Sequence, residues 1–179
     1  MKDLNPLSLT LAGFTDFAFI KKVFTAMIPQ YSQIMPGSFE ANLENLNRLQ
    51  AKGFDFTATG LTGYLIETPH EPVGFIAVGP LSPRLAYLSA FYFLPEHQRK
   101  GYGAKALRQI ENTYQNLGFQ EVVLLVHQQA HWASDFYKKM GYKTLAKHRL
   151  SIVQYAGVGI EHLLEPGLFL MGKKLKSKR

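Results

Sequence analysis

Residues 98–104 read Gln98-Arg99-Lys100-Gly101-Tyr102-Gly103-Ala104, between an aromatic strand pattern that stops at Pro95 and a helical pattern that starts near Tyr102. Two glycines let a backbone approach a ligand with no side chain in the way. The start of the helix adds free N–H groups and the positive end of its dipole, which together suit an anion. Charge placement sharpens the reading. A cation near a helix N-terminus is unfavourable by about 0.3–1 kcal/mol, yet Arg99, Lys100, Lys105 and Arg108 crowd this one, and the first acid is Glu111. A bound polyanion would offset that repulsion. The plain alternative is a solvated basic face beside a glycine-rich turn. A P-loop would end in Gly-Lys-Ser/Thr, whereas Gly103 is followed by Ala104 and Lys105. A dinucleotide fingerprint would place a third glycine where Ala106 stands and would open a βαβ unit, whereas the preceding strand belongs to an antiparallel meander.

Outward from this segment the hydrophobic spacing alternates between helix and strand periods. Towards the C-terminus a helix spans Tyr102 to Leu117, with Leu107, Ile110, Tyr114 and Leu117 inward and Gly118 as its stop. Val122–Val126 is a continuous apolar strand, buried on both faces. Trp132, Phe136, Tyr137 and Met140 mark a further helix ended by Gly141, with Trp132 read as core. Tyr142–Ala146 and Leu168–Met171 are the last strands. Towards the N-terminus, Gly63–Glu67, Val73–Val78 and Leu85–Leu94 are strands joined by short Pro/Gly loops. Before them come a strand at Leu7–Leu11 and a helix with Phe17, Ile20, Phe24 and Met27 on one stripe, bounded by Pro29. Pro36-Gly37-Ser38 offers a turn and an N-cap. The helix that follows carries Phe39, Leu43, Leu46 and Leu49, and Gly53 closes it. This order predicts an α/β (α+β) domain with a mixed sheet.

Composition bounds the rest. The chain has 179 residues, 46% hydrophobic and 18% charged, which excludes disorder and allows one sizeable core. It has no cysteine, so disulfides, cysteine-held metals and a cysteine nucleophile are excluded. The N-terminus lacks a signal-peptide pattern, and no run approaches the ~18–20 apolar residues of a membrane span, so a cytoplasmic location is expected. The net charge of +7 favours anionic partners. Five cations fall in the segment 173–179 (Lys173, Lys174, Lys176, Lys178, Arg179), which reads as a basic C-terminal tail that solubilises a frayed end. His70, Glu71, His97, His131, His148 and His162 have no metal-ligand spacing and read as surface residues.

The Gln-x-x-Gly-x-Gly pattern, opening a helix after a strand that ends in Pro, resembles the acyl-CoA pyrophosphate loop of the GNAT superfamily of acyl-CoA-dependent N-acyltransferases. Phe93-Leu94-Pro95-Glu96-His97-Gln98 looks like the family's approach to that loop, and Phe136-Tyr137-Lys138-Lys139-Met140-Gly141-Tyr142 resembles its Tyr-x-x-x-Gly-aromatic signature. Together these cover about residues 85–145. The resemblance implies one GNAT-like domain over 1–179, with a central mixed, mostly antiparallel sheet of about seven strands flanked by about four helices. It also implies two splayed parallel strands at the cofactor cleft, here about Leu88–Phe93 and Val122–Val126.

It further implies acetyl-CoA as co-substrate, with no metal. Phe91, Tyr92 and Phe93 would line the pantetheine arm through their backbone. Gln98, Arg99, Lys100, Gly101, Tyr102, Gly103, Ala104 and Lys105 would hold the pyrophosphate. Tyr137 would give a proton to the CoA thiolate; the plain alternative is a packed tyrosine. Two positions depart from the family. Ala130 stands where an Asn often contacts the cofactor arm, so Gln129 or His131 would substitute. Tyr87 stands where some members carry a Glu base, which leaves Tyr87, or Glu67 through water, to act on the amine. His127 reads as a satisfied strand-end histidine more than as a base. The acceptor pocket would come from about Met27–Ser38, with Tyr31 and Met35, and from His148–Gly167, with Tyr155, Gly157 and Gly159. Few acids are present there to grip a strongly cationic acceptor.

The resemblance therefore implies an N-acetyltransferase that transfers an acetyl group from acetyl-CoA to a primary amine by direct attack in a ternary complex. Proximity of two bound reactants would supply much of the acceleration. A non-catalytic acyl-CoA-binding or regulatory module on the same fold is the alternative. A nucleic-acid binder would rest on net charge alone, with no recognition motif. No nucleic acid or membrane partner is expected, and a homodimer is left open.

Overall fold

The computed structural model describes residues 6–53 and 59–176. Its elements run β1 (Ser8–Leu11), α1 (Phe17–Tyr31), α2 (Ser38–Ala51), β2 (Thr62–Glu67), β3 (Pro72–Pro80), β4 (Leu85–Phe93), α3 (Tyr102–Asn116), β5 (Glu121–His127), α4 (His131–Lys139), β6 (Lys143–Ala146), α5 (Arg149–Ala156) and β7 (Leu168–Lys174). The strands form one seven-stranded sheet in the order β1-β2-β3-β4-β5-β7-β6. The pairs β1–β2, β2–β3, β5–β7 and β6–β7 are antiparallel, and β4–β5 is parallel. The expected mixed, mostly antiparallel sheet is therefore present. The parallel ladder is short, joining Leu85–Tyr87 to Glu121–Val123. No described helix is long and apolar enough to cross a membrane.

The chain forms two compact units, Met1–Val78 with Ala90–Gln109, and Gly79–Ser89 with Ile110–Arg179. In the first, the predicted stripe of α1 is the core: Phe17, Ile20, Val23, Phe24 and Met27 pack with Phe39 and Leu46 of α2 and with Leu65, Phe75 and Ala77 of the strands. Two boundaries differ from expectation. Pro29 lies inside α1 and does not end it. A proline removes its own N–H bond and crowds the carbonyl four residues back, and here it stands in the last turn, where little helix remains to be disturbed. The last turn is held beyond it by Tyr31, whose ring packs 4.6 Å from Phe39 and 6.2 Å from Tyr92. Ser38 is the first helical residue of α2 and not its cap. Gly37, at φ +80°, is the N-cap, and its carbonyl takes the first helical bond, from Ala41 N–H at 2.9 Å.

In the second unit, Val123, Ala146, Ile152, Ala156, Ile160 and Leu170 form the core. α5 is an addition to the expected elements. With a following 3-10 turn (Val158–Leu163) it fills the connection between β6 and β7. Leu117, expected inward, is 66% exposed. α3 ends at Asn116, and Gly118 N–H bonds to Gln115 O while Phe119 N–H reaches back to Tyr114 O, both at 3.0 Å. That is a Schellman stop, and its apolar contact is made by Phe119, 5.2 Å from Tyr114, in place of Leu117. Trp132, read as core, is 43% exposed, because the buried face of the short α4 takes Ser134 and Tyr137. Of the segment read as a basic tail, Lys173 and Lys174 are the end of β7. Lys178 and Arg179 lie outside the described residues.

Candidate functional site

The segment 98–104 is built from β4 outward. Leu94 N–H bonds to Val73 O at 3.0 Å, and a 3-10 turn over Pro95–His97 follows. Gln98 then turns its side chain back, and Nε2 donates to Phe93 O at 3.1 Å. Gln98 thus acts as a strut that fixes the loop to the strand end. His97, read as a surface residue, is half-buried, with Nε2 3.4 Å from Glu71 Oε1. Among the described residues Arg99 is the one non-glycine residue at positive φ, +58°, and Gly101 follows at +83°. Left-handed backbone costs a non-glycine residue roughly 1–2 kcal/mol, so this turn is imposed by its surroundings. A Cβ placed on Gly101 would meet nothing within 4 Å; the glycine is there for its conformation and for open approach.

Gly101 O accepts from Lys105 N–H at 3.4 Å, which starts α3. Tyr102, Gly103 and Ala104 are then the first three helical residues, whose N–H groups have no acceptor within the helix. No acid stands in this first turn. Arg99 and Lys100 are exposed, and Lys105 is half-buried. Strained loop, helix-start N–H groups and clustered cations together make an anion cradle.

The strand leading to this cradle is held by a glycine that sequence reasoning passed over. Gly74 of β3 faces β4 so closely that a Cβ there would stand 2.5 Å from Tyr92 O and 3.0 Å from Phe93 Cδ1. A glycine inside a strand pattern signals such a close approach. The Tyr92 ring packs into the α1–α2 layer, 5.4 Å from Phe24 and 5.3 Å from Phe39. Phe91 and Phe93 pair with each other at 5.3 Å. Side chains at these positions are thus engaged in packing, which leaves the backbone for any ligand. Glu67, at the end of β2, accepts a hydrogen bond from Thr10 Oγ1.

In the second unit, Tyr137 is 9% exposed on α4, with its ring 5.4 Å from Tyr142. Its signature is another Schellman stop. Tyr142 N–H bonds to Tyr137 O and Gly141 N–H to Lys138 O, both at 3.0 Å. The spacing of tyrosine, glycine and aromatic is thus a requirement of the helix end before it is one of chemistry. His127 is 7% exposed. Its Nδ1 accepts from Gln129 N–H at 3.3 Å, which puts the ring proton on Nε2. Nε2 abuts Gly167, where a Cβ would collide with it. Gln129 and His131 are exposed, while Ala130 caps α4 with no side-chain bond. Tyr87 packs against the core of this unit, and burial pushes its phenol well above the usual range. A cavity of about 300 Å³ is lined by Lys147, His148, Arg149, Ile152 and the segment 164–168. Among the described residues no group of three His, Asp or Glu side chains could hold a metal.

The model of the acetyltransferase (GNAT) family matches residues 24–142, about two thirds of the chain. No curated protein matches it. Among solved structures it is similar to an acetyltransferase from Thermus thermophilus, with TM-score 0.67 and 19% identity over 94% of this chain and 97% of that one. It is similar to the PaiA N-acetyltransferase of Thermoplasma acidophilum in complex with coenzyme A, with TM-score 0.65 and 20% identity over 94% and 99%. It also resembles the spermidine N-acetyltransferase of Vibrio cholerae in complex with CoA and spermine, with TM-score 0.63 and 17% identity over 94% and 95%.

Proposed function

The chain belongs to the acetyltransferase (GNAT) family, and on that premise we propose that it carries an acetyl group from acetyl-CoA to a primary amine, by direct attack, within one catalytic domain. Family membership makes it an acyltransferase. The observation that most supports this donor is the run Arg99–Ala104, with two residues at positive φ, a glycine open to approach and a helix start free of acids. These features fit a pyrophosphate.

Acetyl-CoA supplies the activated thioester, and the chain's residues hold it. N–H groups of Tyr102, Gly103 and Ala104 bind the pyrophosphate, with Arg99, Lys100 and Lys105 adding charge. The backbone at Phe91 and Phe93 lines the pantetheine arm. A backbone N–H at Phe91 or Tyr92 donates to the carbonyl oxygen as negative charge develops there. Tyr137 shares its hydroxyl proton with sulfur as CoA leaves. Tyr87 serves poorly as a base, because a phenol raised by burial holds its proton near neutrality; Glu67, through water, is the remaining acceptor for the proton that an ammonium must lose before its nitrogen attacks. Lys147, His148 and Arg149 stand against one acid, Glu165, around the 300 Å³ cavity, a lining that argues against a strongly cationic acceptor.

The test is thiol release from acetyl-CoA over a broad amine panel, with calorimetric binding of acetyl-CoA. Turnover with some amine is expected. Tight binding with silence over the whole panel would leave a binding module, and absence of binding would remove the proposed site. Tyr137→Phe should lower kcat at least ~30-fold, about 2 kcal/mol, with acetyl-CoA affinity within about threefold of the parent. A variant that keeps more than half the parental kcat, with chemistry rate-limiting, would reduce Tyr137 to packing.

A further inference from the structure

Glu111 on α3, Lys173 on β7 and Tyr142 just after α4 meet in a largely buried polar cluster, in which the Tyr142 ring packs on Tyr137. Glu111 is 7% exposed, and its Oε2 accepts from Lys173 Nζ at 2.6 Å. The same ammonium lies 5.8 Å from the Tyr142 ring centre. Tyr142 is 2% exposed, and its ring stands at 61° to that of Tyr137, 5.4 Å away. Two atoms in the cluster, Glu111 Oε1 and Tyr142 Oη, are shut off from solvent and fall short of good hydrogen-bond geometry, although the hydroxyl and the carboxylate interact.

Burying a carboxylate and a hydroxyl whose hydrogen bonding is incomplete is costly, and apolar side chains commonly replace a buried ion pair without loss of stability. Packing alone therefore does not account for the cluster. Burial, the Glu111 charge, Tyr137 and the approach of the hydroxyl to the Glu111 carboxylate together push the Tyr142 hydroxyl far up. Tyr142 thus stays neutral, and the negative charge rests on Glu111. On α4 itself Asp135 and Lys138 are exposed and pair at 3.3 Å, and Lys139 is exposed.

We propose that Glu111, Tyr142 and Lys173 are positioning residues that govern the proton of Tyr137, Glu111 opposing its loss and Lys173 easing it. The role this gives them in catalysis rests on the reading of Tyr137 as the acid. In that step the amine nitrogen forms its bond to the acyl carbon, the C–S bond breaks, and its electron pair goes to sulfur. The Tyr137 proton moves towards that sulfur. The surplus proton of the acylated nitrogen restores Tyr137. Glu111 disfavours a full phenolate, so the proton is shared and promptly recovered. Lys173 keeps the opposition from being complete.

The experiment is a pH titration of the full chain labelled with 13Cζ-tyrosine, the Tyr137 resonance being assigned by its loss in Tyr137→Phe. Glu111→Gln should lower the Tyr137 midpoint by at least about one unit, a tenfold change in proton affinity, and Lys173→Met should raise it. A loosened core would move both variants the same way. Midpoints that agree with the parent within about 0.3 unit, or that move together, would overturn the proposal. If Glu111→Gln does not fold, Lys173→Met decides alone, and an unmoved or lowered midpoint refutes. The titration needs no acceptor. Split midpoints with a Tyr137→Phe variant of parental kcat would uphold the coupling and overturn instead the acid role of Tyr137.

Discussion

Replacing Gly74 by alanine puts a methyl group where β4 already runs. Its Cβ would stand 2.5 Å from Tyr92 O, 3.0 Å from Phe93 Cδ1 and 3.2 Å from Ile66 Cδ1. The two side-chain atoms can give way. The carbonyl cannot move without its strand, which is tied by Leu94 N–H to Val73 O at 3.0 Å and wedged by the Tyr92 ring against Phe24 and Phe39. Restoring an ordinary 3.4 Å contact requires a retreat of about 0.9 Å. Overpacking of that kind costs ~1–3 kcal/mol. The lower chain entropy of an unfolded alanine returns about 0.4–1 kcal/mol, which leaves a net loss of about 1–2 kcal/mol. The same retreat displaces the backbone at Phe91–Phe93, and a misplacement near 1 Å can cost ~10²-fold in rate. Gly74→Ala should therefore lower the urea midpoint, weaken acetyl-CoA and reduce kcat/KM ~10–100-fold. Urea unfolding, calorimetry and steady-state turnover read these separately. A variant with the parental midpoint and parental acetyl-CoA affinity would refute the claim that this glycine sets the path of β4.

Gly101→Ala strains a residue at φ +83° and should cost at least tenfold in acetyl-CoA affinity, about 1.4 kcal/mol. Gly118→Ala, equally strained at +93° and equally open, should destabilise similarly and leave that affinity alone, and equal effects on binding would sink the loop assignment. Lys105→Ala should weaken acetyl-CoA less than tenfold, with an effect that fades as salt screens it; a salt-independent loss would mean displaced backbone. Tyr155 donates to Glu121 Oε2 at 2.8 Å, and burial, then that bond and the Glu121 charge, push its phenol up to about 12. A raised value means its contribution is full below the unfolded value near 10 and is lost as pH climbs to 12. Tyr155→Phe should flatten the stability loss between about pH 10 and 12, and unfolding curves that stay parallel to the parent's would contradict it.

The sequence was most legible where a local rule suffices. Gly118 and Gly141 announce their helix ends because each must sit at positive φ, and the α1 stripe is read directly from its spacing. The Gly101 loop was legible for the same reason. What escaped depends on distant partners. Pro29 stays helical because Tyr31 finds Phe39, and Leu117 is displaced by Phe119 at the turn. Nothing local marks Gln98 as a strut to Phe93 or Gly74 as the seat of β4. α5 escaped for another reason: its residues lack a clear apolar stripe, and only its packing beside β6 and β7 makes it a helix. Glu111 was legible as the first acid of α3, but its partners, Lys173 and Tyr142, lie 62 and 31 residues on.

The strand order leaves β1 and β6 at the two margins of the sheet, and each has only four residues. Four residues extend about 13 Å, and a margin that short offers a neighbouring chain only a couple of outward N–H and C=O groups. Lys143 within β6 and Lys147 just beyond it add like-charge repulsion against a second copy aligned there. Pairing of two copies through a continuous sheet is thus disfavoured at both ends.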